Sequence, residues 1–383
     1  MIAPFAWTVP WLLPLAAVIV RARRSRSLAD APDALPPNAP HISVVIPARN
    51  EHRNIERCVR SVLASRYAPL EVIVVDDHST DGTGDMARAI ARDDARLRVV
   101  DAPPLPDGWF GKQWACATGA GAANGALLVF TDADTRHAPD LLPRAVNELA
   151  ARGADLLSVV GHQEMHSFWE RVIQPQLFVL LSLRYGGAEQ VSTTRRPENA
   201  IANGQFILVR REAYDAMDGH ALVRDRVAED LSLAQEWVRA GRRIALLLAI
   251  DQLSTHMYAS LAELVAGWRK NIYAGGRHAA LGGRVGRALY PVLLPAVPIF
   301  ALAPPVALVF AAFSVLSTAW LVWSGIVVAA SILFWAAIYR FMRESATYAL
   351  AYPLGFAVLL HIAIGAVARG RRVEWKSRRY VAR

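Results

Sequence analysis

Apolar residues follow two different rhythms along this chain. Between residue 41 and about residue 256, short apolar runs alternate with stretches of helical spacing. "ISVVIPARNE" predicts a buried strand ending at Pro47, and "NIERCVRSVLAS" a helix; "LEVIVVDDHSTDGT" predicts a second strand that ends in acids, and "GDMARAIARD" a second helix. "LRVVDAP", a loop, the helix-like "KQWACATGAGAANG" and the strand "ALLVFTDAD" follow. Strands alternating with helices predict a parallel α/β sheet, whose ligands sit at the carboxyl ends of the strands.

Outside that segment the apolar runs lengthen. Residues 1–20 carry no charged side chain and are followed at once by Arg21, Arg23, Arg24 and Arg26. Such a run suits a hydrocarbon core of about 30 Å, with its arginine-flanked end toward the cytoplasm. A cleaved signal peptide would carry its basic residues before the apolar run, so an uncleaved anchor is the expectation. Residues 288–339 and 346–368 are likewise free of Asp, Glu, Lys and Arg. Pro291, Pro295, Pro298, Pro304 and Pro305 fall in the first half of the longer run. An interfacial or re-entrant stretch there would leave the basic tail "RGRRVEWKSRRYVAR" on the cytoplasmic side, as the positive-inside tendency favours. Two or three C-terminal spans are therefore expected.

Composition narrows the class of partner. Of the 383 residues 54% are hydrophobic, and 42 Lys and Arg against 33 Asp and Glu give a net charge of +9. Much of the excess flanks the apolar segments, which points to anionic lipid headgroups rather than nucleic acid. The two cysteines, Cys58 and Cys116, have no metal-ligand spacing and read as reduced, buried residues of a cytoplasmic domain.

Three predicted strand ends carry polar clusters: Arg49, Asn50 and Glu51, then Asp76 and Asp77, then Asp132 and Asp134. Any one of them reads most simply as a turn; three on one sheet edge read as a site. "GAGAAN", residues 119–124, is one residue short of the dinucleotide fingerprint and closes a helix instead of opening one. Small residues for close helix packing are the better reading.

"VVIPARNE", "VVDDHSTDGT", "GWFGKQWA", "FTDAD" and "VAEDLSLAQEWVRAGRRI" occur in the order and approximate spacing of family 2 glycosyltransferases, and the chain resembles that family from residue 41 to about 256. With "LPDGWFGKQWA", "MYASLAELVAGWRKNIYAGG" and its apolar C-terminal region, it is most similar to the membrane-bound members that glycosylate carotenoids or are associated with hopanoid synthesis. The resemblance implies an α/β fold of the GT-A type: a Rossmann-like, nucleotide-sugar-binding domain with a mixed, mainly parallel sheet, here with N-terminal and C-terminal transmembrane helices. It also implies inverting transfer of one sugar, a hexose such as glucose, from a nucleoside-diphosphate sugar. The family default is a UDP-linked donor, and the acceptor would be a hydroxyl or carboxylate of a membrane lipid.

In such a reaction the leaving diphosphate gains negative charge as the glycosidic bond breaks. Mg²⁺ or Mn²⁺ held by hard carboxylate oxygens neutralises it. Asp134 matches the family's metal-binding acid, and Asp132 would contact donor ribose or sugar and share the metal. Asp76 and Asp77 match its nucleotide-binding acids, while Pro47, Arg49 and Glu51 would wrap base and ribose. Residues 76–83 read equally as a capped turn opening a helix. Lys112 matches a basic residue that meets the donor phosphates. Glu229 and Asp230 match paired acids at a helix start, with Asp230 as the base; the helix dipole alone also favours acids there. Asn203 and Gly204 match a stretch on the acceptor side. Processive synthases of the family carry Q-x-x-R-W, whereas "GWRKN" stands here, which argues for single-sugar transfer. Trp268, Arg269 and Lys270 are assigned to the acceptor side, with a basic surface near the membrane as the equal alternative for the last two.

"SFWERVIQPQLFVLLSLRY", residues 167–185, reads as an interfacial segment or as a buried core helix. The expected organisation is a transmembrane anchor at 1–20, a basic, proline-rich linker at 21–40 and a cytoplasmic GT-A domain with interfacial segments at 41–287. A transmembrane block at 288–368 and a basic tail at 369–383 complete a multi-pass protein of the cell (inner) membrane. A polyprenyl-phosphate sugar transferase or a polysaccharide synthase would share the donor site and differ in acceptor. A non-catalytic membrane scaffold would keep the fold without the chemistry.

Overall fold

An eight-stranded mixed sheet carries the α/β segment. The structure is a computed structural model that describes residues 8–23, 25–35, 38–278, 280–370, 372–375 and 378–381. Strands β1 (Ile42–Ala48), β2 (Leu70–Asp76), β3 (Leu97–Asp101), β4 (Leu127–Phe130), β5 (Thr135–His137), β6 (Leu156–Gln163), β7 (Ile207–Arg210) and β8 (Ile244–Thr255) are ordered β3-β2-β1-β4-β7-β6-β8-β5. The first four are parallel, β7 runs antiparallel to β4 and β6, β6 is parallel to β8, and β5 is antiparallel to β8.

Strands β1, β2 and β4 are buried along almost their whole length because helices cover both faces, and this is why they read as unbroken apolar runs. Register then sets the edge. Ala48 lies beside Asp76, Asp76 beside Asp101, and Val45 beside Phe130, so the polar residues that follow β1, β2 and β4 emerge together. Of the covering helices, Ile55–Leu63 buries Ile55, Cys58, Val59 and Val62 at helical spacing. Gly111–Ala122 approaches the sheet so closely at Gly119 that a Cβ there would overlap Val45, which explains the glycines of "GAGAAN" as packing residues.

The chain divides into two compact units, and the sheet belongs to the one formed by residues 25–164, 188–257 and 371–383. Part of the stretch read as a linker is built into this unit: Leu28 is fully buried, Ser27 pairs with Leu248, and Arg144 and Asn147 donate to the carbonyls of Ala29, Ala31, Pro32 and Ala34. Residues 24, 36 and 37 of that stretch lie outside the described residues. So do residues 371, 376–377 and 382–383 of the basic tail, whose described portions pair as antiparallel strands Arg372–Trp375 and Arg378–Val381.

The second unit, residues 1–24, 165–187 and 258–370, is the apolar one. Helices Gly283–Ala312, Thr318–Phe341 and Ala346–Arg369 are long and apolar enough to cross a membrane. The proline-rich run departs from the irregular stretch expected of it: it is one helix of 30 residues with all five prolines inside. Each proline removes a single hydrogen bond, and the residues between them keep theirs because an unpaired backbone group costs more in an apolar setting than a bend. The N-terminal helix Val9–Arg23 has 15 residues, about 22 Å of rise against a hydrocarbon core of about 30 Å. Its described residues are thus short of a span, and residues 1–7 of the expected anchor lie outside the described residues. Residues 167–185 form the helix Phe168–Tyr185, opened by a capping box between Ser167 and Glu170. It packs inside this unit, where Gln176 donates to the Tyr352 carbonyl at 2.8 Å and Arg171 pairs with Glu344 at 2.9 Å, as the buried-helix alternative describes.

Candidate active site

The turn after β4 is braced from beneath. Thr131 donates to the Gln205 carbonyl at 2.7 Å and lies 2.9 Å from His137 Nε2, and Thr135 donates to the Asp132 carbonyl at 2.8 Å. Cys58 Sγ reaches the same carbonyl at 3.5 Å. The backbone of "TDADT" is therefore held by the Thr131 and Thr135 hydroxyls together with Cys58 and Arg57, whose guanidinium donates to the Asp134 carbonyl at 3.2 Å. Asp134 Oδ1 is buried and has no hydrogen-bond partner.

Lys112, second in the helix Gly111–Ala122, reaches Asp132 Oδ1 at 2.7 Å and Glu229 Oε1 at 2.6 Å. Burial alone would lower its pKa, but the carboxylates of Asp132, Glu229 and Asp230 outweigh it and hold the ammonium well above the ordinary lysine value. The start of this helix is tied to the loop leading to Glu229: the Phe110 N–H donates to the Arg224 carbonyl at 2.8 Å, and Gln113 Nε2 to the Arg226 carbonyl at 2.5 Å.

Glu229 and Asp230 open the helix Glu229–Arg239, where the dipole favours acids. Asp230 accepts from the Gly204 N–H at 2.8 Å and from the Leu231 N–H at 2.7 Å. Burial pushes its carboxyl up to about 6, with Glu229 adding to the rise and Lys112 opposing it. Asp134 is pushed up to about 8 by burial, with the Asp132 and Glu51 carboxylates adding to it. Asp132 is raised too, burial outweighing the pull of Lys112. Against the acids Asp132, Asp134, Glu229 and Asp230 the cluster sets one ammonium, an excess of negative charge suited to a further cation.

Farther along the edge the polar residues largely satisfy one another, with Arg49 Nε the buried atom left without a partner. Arg49 Nη1 donates to the Asp77 carbonyl at 2.5 Å and faces its carboxylate at 3.8 Å. Asp76 Oδ1 accepts from the Ser79 N–H at 3.0 Å, Asn50 from the Thr80 N–H at 2.9 Å, and Asp81 Oδ2 from the His52 N–H at 3.0 Å. The Glu51 N–H donates to Thr83 Oγ1 at 2.8 Å. The expected capped turn is present in altered form, since Gly82 holds the N-cap position of the helix Thr83–Asp93 and Asp81 accepts from the Thr83 N–H at 3.1 Å. Pro47 lines the same recess as Lys112, Asp132, Glu229 and Asp230.

Asn203 and Gly204 part company in role. The Asn203 amide donates to the Val159 carbonyl at 3.0 Å and to Gln205 Oε1 at 3.1 Å, which ties it to the sheet, whereas Gly204 lines the recess. Trp268, Arg269 and Lys270 lie on the helix Leu261–His278 of the apolar unit. There Trp268 meets Phe178 edge to face at 6.0 Å and Arg269 donates to His361 Nε2 at 2.6 Å. Sequence reasoning passed over Thr131, Thr135, His137 and Cys58, which hold the turn, and Tyr214 and His220, which form a buried pair with His220 in the recess wall. A signal for the first group was present in the hydroxyls and histidine of "TDADTRH".

The model of the family described as Glycosyl transferase family 2 matches residues 43–217. Among curated proteins the chain is 27% identical over 240 residues to the 4,4'-diaponeurosporenoate glycosyltransferase of Staphylococcus haemolyticus (strain JCSC1435). It is 28% identical over 239 residues to the protein of the same name from Staphylococcus aureus (strain USA300). Each match covers 61% of this chain and 61% of the relative, so the chain spans about three fifths of the length of the curated relatives it matches. Among solved structures it is similar to the mannosyltransferase PcManGT from Pyrobaculum calidifontis in complex with GDP-Man and Mn²⁺, with a TM-score of 0.53 and 21% identity, over 96% of this chain and 97% of that one. That last likeness is one of fold.

Proposed function

Because this chain belongs to glycosyltransferase family 2, through a domain with the GT-A fold, we propose that it transfers a single hexose from a nucleoside-diphosphate sugar to a membrane lipid, with inversion. The observation that carries this reading is the recess in which Lys112 bridges Asp132 and Glu229 at 2.7 and 2.6 Å with Asp230 in the same wall; two residues on from Asp132, the buried Asp134 Oδ1 has no partner. The donor would be UDP-linked. Its base and ribose would lie along Pro47, Arg49 and Glu51 and the acids Asp76 and Asp77, its sugar against Asp132, and its diphosphate within reach of the Lys112 ammonium.

Mg²⁺ or Mn²⁺ fits the oxygens present. A hard cation takes carboxylate oxygens, and Asp134, with an unpartnered oxygen and a pKa raised by burial and neighbouring acids, is the anchor such an ion would use, shared with Asp132. Among the described residues no three His, Cys, Asp or Glu side chains enclose an ion by themselves, so diphosphate and water would complete its shell. When bound, the ion supplies positive charge to the leaving diphosphate. Lys112 adds a second positive charge, and Glu229 keeps that lysine in place.

With a hydroxyl acceptor, the oxygen attacks the anomeric carbon from the face opposite the diphosphate. The new carbon–oxygen bond forms, the bond to the diphosphate breaks, and the proton passes to Asp230. The two backbone N–H groups on Asp230 hold it in one orientation while leaving it basic. A carboxylate acceptor alters the demand, since it is already ionised at neutral pH and needs no base. The curated relatives are named for an acid, 4,4'-diaponeurosporenoate; for an acceptor of that kind Asp230 would orient and contribute charge only. Asn203, Gly204, Trp268, Arg269 and Lys270 are assigned to the acceptor side.

The three long apolar helices support membrane association, and with it a lipid acceptor; that lipid would be a carotenoid or hopanoid, and the arginines that follow residues 1–20 would put the catalytic domain on the cytoplasmic side of a multi-pass protein of the cell (inner) membrane. The test is a comparison of lipid extracts from membranes with and without active protein, incubated with labelled UDP-glucose and read by mass. One hexose added to a single lipid species is the expected result. Label on a polyprenyl phosphate or in a polymer would give the acceptor to the alternative enzymes. No transfer with UDP-linked or GDP-linked sugars, and no nucleotide binding, would leave the scaffold.

A further inference from the structure

His220 is the one ring in the wall of the recess that carries two nitrogens, and it is 3% exposed. Its Nδ1 lies 2.8 Å from the hydroxyl of Tyr214, which is itself 5% exposed. The same hydroxyl accepts from the backbone N–H of His220 at 3.1 Å. A buried phenol needs an acceptor for its own proton, and Nδ1 is the only one it meets among the described residues. Tyr214 therefore donates to Nδ1, and the ring proton sits on Nε2. Two further contacts fix the ring. Phe130 meets it edge to face at 4.5 Å, and Gly219, with φ +50, leaves space that a Cβ would take from the Tyr214 ring.

The result is an N–H group held by a second residue, with no protein partner for Nε2 among the described residues, on a ring that lines a recess whose polar wall includes Lys112, Asp132, Glu229 and Asp230. Burial lowers the His220 pKa to about 4, with Glu229 opposing and Lys112 assisting, so the ring is neutral at working pH. A neutral donor beside carboxylates complements a group that accepts one hydrogen bond and donates another, and a sugar hydroxyl does both. A phosphate only accepts, and the ammonium of Lys112 serves it better.

We propose that His220 reads a hydroxyl of the sugar being transferred, donating from Nε2, and that Tyr214 is the positioning residue that keeps the proton on that nitrogen. The inference rests on the donor-site reading above and adds to it a residue that distinguishes the sugar from the rest of the nucleotide. A site built to pair with a hydroxyl discriminates strongly against a ligand that lacks it.

Binding of UDP, UDP-glucose, GDP and GDP-mannose to the full chain in detergent with Mn²⁺ tests this, for wild type, His220→Phe, His220→Gln and Tyr214→Phe. Whichever nucleotide the wild type takes, His220→Phe is expected to bind its sugar conjugate about tenfold more weakly, the loss of one good hydrogen bond, while the free diphosphate binds unchanged. His220→Gln, whose amide nitrogen reaches a similar position, should recover part of the loss, and Tyr214→Phe should weaken sugar-nucleotide binding about threefold. Parallel losses for conjugate and free diphosphate, or no loss for either, would overturn the role of His220 while leaving the donor site standing. A wild type that binds none of the four ligands would instead remove the donor-site reading, and this inference with it.

Discussion

The two ends of the sheet edge are built from the same residue types and are in opposite electrostatic states. At β1 and β2, Arg49 faces Asp77, Asp76 accepts a backbone N–H from its own loop, and Asn50 and Asp81 each accept one from the loop opposite. At β4 and the helix beginning at Glu229, acids crowd one another around a single lysine, and Asp134 keeps a buried oxygen without a partner. A cluster that largely satisfies itself is a cradle: it is pre-formed and changes little when a ligand arrives. A cluster left with excess charge is unstable until something positive joins it, and that is the condition a metal-assisted transfer needs.

Substitutions at the two ends will differ in kind. Asp134→Ala should remove transfer by about a thousandfold or more, the several kcal/mol that a metal contributes to a charged transition state, measured with labelled nucleotide sugar on membranes. Asp230→Ala should cost about a hundred- to ten-thousandfold with a hydroxyl acceptor and much less with a carboxylate one, so the size of its effect also classifies the acceptor. With a hydroxyl acceptor the wild-type rate should rise with pH and level off above about 6, because Asp230 must be ionised to accept a proton. Lys112→Met should lower turnover about a hundredfold, as expected for one charge on a leaving group.

Smaller effects fall on stability. The folded-state pKa of Asp134, about 8, lies above its ordinary 3.8. Its stabilising contribution is therefore complete below the ordinary value and is lost as pH rises through the folded one. Asp132 and Asp230 act in the same direction. With metal chelated, the unfolding temperature should fall between about pH 6.5 and about pH 8, above the range in which His137 and His220, lowered by burial from the ordinary 6.5, and the lowered acids Glu71, Asp81 and Asp94 take up protons on unfolding. Mn²⁺ should reverse the fall, and Asp134→Asn should make the fall smaller and abolish the reversal. In the cradle, Asp81→Ala removes acceptors for the His52 and Thr83 N–H groups and should cost about 1 kcal/mol, with transfer changed less than about threefold.

How much of this was legible without coordinates depended on whether a feature is local. Strands β1, β2 and β4 are continuous apolar runs that end in acids, so both the strands and their polar edge could be read from the chain. The three residues of β5 and the four of β7 could not, because they become strands by pairing with β8 and with β4 and β6, partners distant in sequence. The charged members of the site were visible as residue types. Their pairing through Lys112 was not, since it joins the starts of two helices separated by more than a hundred residues. Tyr214 and His220 carry no charge at neutral pH and sit in a stretch without periodicity, so only their contact reveals them. The proline-rich helix Gly283–Ala312 misled in the other direction, because proline counts against a helix in water far more than in an apolar block.

Nucleotide-sugar binding in the presence of Mn²⁺ and in its absence, measured for wild type, Asp134→Ala and Asp230→Ala, probes the assignment of the charged cluster most directly. The arrangement described here predicts metal-dependent binding in the wild type, its loss in Asp134→Ala and its retention in Asp230→Ala. Equal loss in both variants, or binding indifferent to Mn²⁺ and to Asp134, would contradict it.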